Sequence, residues 1–161
     1  MKKSLLTIML SLVMLSFFAQ STHTEKGLWQ AKLNGEVLTA GNMGYTDPQY
    51  INHILFYVFK DGKAYFVMAE SKSKVTAANM PTMLKKQLAG EGTYKLYDQL
   101  ESMPSDLKEK FAQFGPYATG SKFLEAKIQG EPMSFIFDPV QHSLRGMNPE
   151  MNFVLDYVGN Y

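Results

Sequence analysis

No cysteine occurs in the 161 residues. The fold is therefore not a disulfide scaffold, and its stability must come from packing. Anchoring through a lipid on a cysteine after a signal segment is excluded on the same ground. Arginine is almost as scarce: Arg145 stands alone, and the lysines form no basic run. A nucleic-acid binder needs clustered cations to neutralise phosphates, so that class is excluded. Sequence signatures of catalysis are missing too. There is no Gly-x-Ser-x-Gly, no His-Glu-x-x-His and no Gly-rich phosphate loop. No cofactor is implied. Beyond the N-terminus, no apolar stretch approaches the ~18–20 residues of a bilayer-spanning helix.

What is present begins with an export signal. Met1-Lys2-Lys3 precedes a largely apolar run from Leu5 to Phe18, and Ala19-Gln20-Ser21 places small residues at the −3 and −1 positions of a cleavage site. Residues 1–21 read as a cleavable signal peptide, and residues 22–161 as one soluble domain, long enough to bury a core. Cleavage removes two lysines and no acid, which moves the formal net charge from +1 to −1. The expected location is a bacterial periplasm or the medium, with no stable membrane insertion after cleavage. The competing reading keeps the segment as an uncleaved anchor.

Alternation of apolar and polar residues predicts strands. Trp29, Ala31 and Leu33 alternate with Gln30 and Lys32, and Asn34-Gly35 predicts a type I′ turn. Residues 40–49 form a long loop rich in Gly, Asn, Asp and Pro. Residues 51–70 form a second hairpin about Asp61-Gly62. Its strands are apolar on both faces, so something must cover the second face. Pro81–Ala89, stopped by Gly90, and Pro104–Phe114 read as helices. Thr93–Leu100 fits either a strand or a further helical turn. Strands return over Lys122–Ile128, Met133–Phe137, Val140–Met147 and Met151–Tyr157. The expected fold is α+β: a curved antiparallel sheet or open barrel of about eight strands, with a short helical block in the middle of the chain.

Gly27-Leu28-Trp29, which opens the first strand, resembles the Gly-x-Trp start of the lipocalin-like (calycin) barrels. In that family the tryptophan closes the barrel base and an arginine near the last strand packs over it. The resemblance implies that Arg145 stacks on Trp29 and that the interior holds a small hydrophobic ligand. The helical block and the lack of a disulfide depart from the family pattern.

Candidate functional residues are few. Nine tyrosines are many for this length, and Tyr45 and Tyr50 flank the long loop. Tyrosine joins an apolar body to a polar tip, which suits pockets and interfaces alike. Tyr45, Tyr50, His53, Tyr57 and Tyr65 are the expected ligand- or partner-binding set, with Trp29 and Arg145 structural. His53 and His142 form an enzyme or metal site only if they meet in space. Scattered methionines give no soft-ligand cluster for Cu(I) and read as apolar filler. The leading expectation is a non-catalytic exported binding protein for a small apolar ligand or a protein partner. An immunity or inhibitor protein that neutralises a toxin or enzyme is one form of it. A hydrolase or metal-dependent enzyme using His53 and His142 is the remaining alternative.

Overall fold

The structure, a computed structural model, describes residues 23–70, 76, 78–148, 150 and 152–161. The signal segment expected over residues 1–21 lies outside the described residues. The elements are β1 (Gly27–Leu33), β2 (Glu36–Val37), β3 (His53–Lys60), β4 (Lys63–Glu70), α1 (Met80–Gln87), β5 (Leu88–Tyr97), a 3-10 turn (Leu100–Ser102), α2 (Ser105–Ala112), β6 (Lys122–Ile128), β7 (Glu131–Asp138), β8 (Ser143–Gly146) and β9 (Phe153–Gly159).

All pairings are antiparallel, and from β3 to β9 each strand lies beside the next in sequence. β1 pairs with β3 along one edge and with β9 along the other, from Leu28↔Gly159 to Leu33↔Phe153. That second ladder closes the sheet into an eight-stranded barrel, so no long edge is left unpaired. The short β2 is an extra strand beside the end of β1. Three hairpins turn on two consecutive residues of positive φ: Asn34-Gly35, Asp61-Gly62 and Gln129-Gly130. The expected type I′ chemistry at the first two is what the backbone adopts.

The inward residues of the strands make the main core, with Trp29, Leu55, Phe59, Leu124, Phe137, Leu144 and Leu155 fully buried. The need for a cover over the second face is met twice. α1 lays Met80, Met83 and Leu84 over Phe56, Val58, Val67 and Tyr65, joined by Tyr161. α2 lays Leu107 and Phe111 over Phe123 and Ile136 on the other side of the barrel. Each helix thus seals an outward apolar patch that a plain barrel would expose.

Two expectations needed revision, and one left open is decided. The first helix ends at Gln87, and Ala89 and Gly90 belong to β5. Leu88 turns extended, and its ladder to β4 and the later ladder to β6 outweigh the weak helical pattern. The segment from Thr93 stays in β5 to Tyr97, and only at Leu100 does the 3-10 turn begin. The two helices of the middle of the chain lie on either side of β5. The strand expected over Val140–Met147 starts at Ser143, because the Asp138 carboxylate accepts the Val140 and Gln141 N–H groups and folds that stretch into a turn.

Candidate functional site

The barrel has a base and a mouth. At the base, residues 23–26 cross beneath the strands. Trp29, fully buried, donates its indole N–H to the Glu25 carbonyl at 2.8 Å, and the Tyr94 hydroxyl donates to the Glu25 carboxylate at 2.9 Å. Both the burial and that bond to a carboxylate push the Tyr94 phenol far above its ordinary value. The indole meets Phe137, His142 and Tyr157 edge to face, at 6.1, 5.3 and 5.3 Å between centroids. His142 is stacked between Tyr157 at 3.8 Å and His23 at 4.0 Å.

Arg145 takes no part in this cluster, against the expectation that it stacks on Trp29. Leu144 points into the core, so strand alternation turns Arg145 to the outer wall, where it is exposed. His142, Tyr157 and Phe137 occupy the position beside the indole instead. The alternation about Leu144 was the available signal in the sequence.

The His142 environment has a measurable consequence. Burial first, and the neighbouring His23 second, hold its imidazole below the ordinary histidine value, and the Thr24 carbonyl opposes them weakly. The folded value is thus lower than the unfolded one. The associated stability is present above the unfolded value and is lost as pH falls through the folded one. Trp29 is the only tryptophan, so its fluorescence reports the same event. We expect acid quenching with a midpoint below that of a free histidine, and its loss in His142→Phe. A pH-independent emission in the wild-type protein would show that His142 does not contact the indole.

Tyr57 lies within the barrel against Phe59, Phe66, Phe135 and Phe153. Its burial drives the phenol far above the ordinary value. Leu55, Phe59, Leu124, Phe137, Leu144 and Leu155 have no accessible area and Tyr57 and Phe135 almost none, whereas a chamber wide enough for water would leave more on its walls. The centre is a packed core. Toward the mouth, Leu33, Phe66, Met133 and Phe153 are only partly buried, so the interior opens there into a shallow apolar cup. A slot of about 310 Å³ enters beside Met133, Met147 and Phe153, with Lys110 at its rim.

The five expected binding residues divide. Tyr57 is interior and Tyr65 is on the outer wall under α1. Tyr45, Tyr50 and His53 share the mouth, where Tyr50 meets the buried His53 ring at 5.4 Å and Gln87 lies within 3.5 Å of its Nε2. His53 begins β3 at the mouth, whereas His142 lies in the β7–β8 turn at the base. The two histidines cannot form one site. Among the described residues no three His, Asp or Glu side chains converge as metal ligands. No helix among them is long and apolar enough to cross a membrane.

The loop between β2 and β3 is ordered by its own hydrogen bonds. Ala40 N–H donates to His53 O, Gly41 N–H to Ile51 O, Tyr45 N–H to Ala40 O, and Tyr50 N–H to Asp47 O, all within 3.0 Å. The Asn42 side chain accepts the Thr39 N–H at 2.8 Å. A Cβ on Gly41 would lie 2.8 Å from the Ile51 carbonyl oxygen, so this close ladder needs glycine there. The loop holds up Met43, Tyr45 and Ile51, which are 48, 39 and 40 % exposed. Leu88, 43 % exposed, adds to the same end. Sequence reading found Tyr45 but missed Met43 and Ile51. Their signal was a pair of large apolar residues in a stretch otherwise made of turn formers. Residues 40–52 carry one charge, Asp47. No protein-family model, curated protein or solved structure matches this chain.

Proposed function

We propose that this chain is an exported, non-catalytic binding protein that docks a protein partner through the loop of residues 40–52. One observation carries the reading: three large apolar side chains stand exposed on a loop already fixed by backbone hydrogen bonds. Elsewhere among the described residues the exposed large apolar residues are Val140, in the β7–β8 turn, and Val158, in β9. Apolar anchors with little charge between them are what an interface core uses. A loop that is already ordered loses little entropy when it binds. The partner would offer a neutral apolar depression to Met43, Tyr45 and Ile51. An inhibitor or immunity protein is the form of this function that needs nothing more than such a surface. Export to a bacterial periplasm or the medium belongs to the same proposal and rests on residues 1–21.

A lipocalin-like relationship is supported by Trp29 at the base of a closed eight-stranded barrel. It is not supported by Arg145 or by the filled centre. The family's small apolar ligand survives as a second reading, favoured by the slot beside Met133 and Phe153.

The test uses protein purified from its own host, measured by native mass spectrometry and compared with a Met43→Ser/Tyr45→Ser/Ile51→Ser variant. Interface anchors contribute roughly 1–2 kcal/mol each, so the triple variant should weaken a partner about 100-fold or more. We expect a partner chain in fixed ratio on the wild type and none on the variant, with unchanged melting. Equal capture by the variant sinks the loop, and a retained small molecule in place of a chain supports the second reading.

A further inference from the structure

A second cleft, of about 300 Å³, lies outside the barrel between the 116–121 segment and the outer face of β7–β9. Strand alternation fixes its wall. Phe137, Leu144 and Leu155 point to the core, so Ile136, Arg145 and Val154 face outward, in one row across the register Ile136↔Arg145↔Val154. The next row is Asp138↔Ser143↔Asp156. Arg145 is the only arginine in the sequence and, among the described residues, the only cation lining the cleft. Among the described residues no hydrogen bond or ion pair holds its guanidinium.

Neither acid of the next row is hydrogen-bonded or ion-paired to it. Asp138 accepts from the N–H groups of Val140 at 2.8 Å and Gln141 at 3.0 Å. Asp156 is ion-paired with Lys32. The Tyr117 hydroxyl donates to the Phe111 carbonyl and so is committed as a donor. Ser121 and Ser143 bring hydroxyls to the same cleft, the first of them buried. The cleft therefore joins one planar cation, with the Asp138 carboxylate in the next row, to neutral donors and apolar walls.

We propose that this cleft binds a small monocarboxylate with a compact apolar body. The guanidinium presents two parallel N–H donors, which match the two oxygens of a carboxylate. The serine hydroxyls can donate to the same oxygens. Ile136, Val154 and Pro116 supply the surface for the apolar body. The single cation and the nearby Asp138 carboxylate select one negative charge over two, because among the described residues no second cation lines the cleft to balance a dianion. The site is independent of the mouth loop and does not rest on the docking reading.

The test is an amide-resolved NMR titration of the full domain with benzoate, benzamide and phenyl phosphate. Benzoate should shift the amides of residues 117–121 and 143–146, and neutral benzamide should bind at least about tenfold more weakly. Phenyl phosphate should be no tighter than benzoate. Arg145→Gln should weaken benzoate at least about tenfold, and Arg145→Lys, which keeps the charge without the fork, should fall between. Arg145 is exposed, so both variants should keep the wild-type melting temperature, and this is checked alongside. Benzamide binding as tightly as benzoate, shifts confined to another surface, or an unchanged affinity in Arg145→Gln would overturn the proposal. Tighter binding of phenyl phosphate would overturn the assignment to a monocarboxylate.

Discussion

Trp29→Ala should cost about 3–5 kcal/mol of folding stability, a large share of what a domain of this size has. The indole is fully buried at the barrel base and meets three rings edge to face. Truncation removes those contacts and leaves a void where neighbours on closed strands cannot collapse inward. It also strands the Glu25 carbonyl, which loses its N–H donor. Urea unfolding followed by far-ultraviolet circular dichroism avoids the missing fluorophore, and the midpoint should fall by roughly 2 M. Trp29→Phe separates the two terms, because it keeps a ring but not the N–H, and should cost about 1–3 kcal/mol. Arg145→Ala is the decisive companion. If the arginine covered the indole, as the lipocalin-like resemblance implies, its loss would be felt in the core. On the outer wall it should change stability by less than about 0.5 kcal/mol. A core-sized loss from Arg145→Ala would overturn the base described here.

Gly92→Ala should be the most damaging change of a glycine in the barrel. Gly92 lies in β5 opposite Ala64 on one side and Ile128 on the other. A Cβ there would lie 1.8 Å from the Lys127 carbonyl oxygen and 2.8 Å from the Ile128 Cα. Those are backbone atoms of β6, so they can yield only if the two strands part. The expected loss is about 3 kcal/mol, the upper end for overpacking, or roughly 10 °C in melting temperature. Gly35→Ala tests the alternative cause. Its φ is +84° and nothing lies within 4 Å of an added Cβ. Its cost is conformational alone, about 1 kcal/mol. If the two variants melt together, steric closeness at Gly92 is not what shapes β5.

These two positions also show how much of the fold was readable in advance. The period-two pattern of β1 put Trp29, Ala31 and Leu33 on one face, and they are inside. The doubly apolar β3 and β4 demanded a covering layer, which α1 supplies. The Asn34-Gly35 and Asp61-Gly62 turns follow from positive φ, a property of single residues. The start of β5 was not readable. Leu88, Ala89 and Gly90 have no marked strand pattern, and pairing with β4 decides their state. The candidate sites were harder still. Tyr45 was found because it sits in a loop, but Tyr57 and Tyr65, two similar strand tyrosines, ended on opposite sides of the wall. His53 and His142 each follow a turn, and only the number of strand crossings between them places one at the mouth and the other at the base.

By itself the sequence determined the local chemistry of this protein. It set the hairpin turns, the alternation that separates core from surface, the lack of any covalent staple and the lone arginine. These depend on residues a few positions apart, where backbone conformation and solvent preference act directly. Tertiary structure decided what those pieces enclose. The β1–β9 ladder joins strands from the two ends of the domain and turns a curved sheet into a closed barrel. Closure fills the centre with aromatic rings. It also leaves Arg145 on the outer wall with no hydrogen bond or ion pair among the described residues, and holds Met43, Tyr45 and Ile51 out at the mouth. Such contacts carry no local signal, because they form between distant segments only when all the strands are in register.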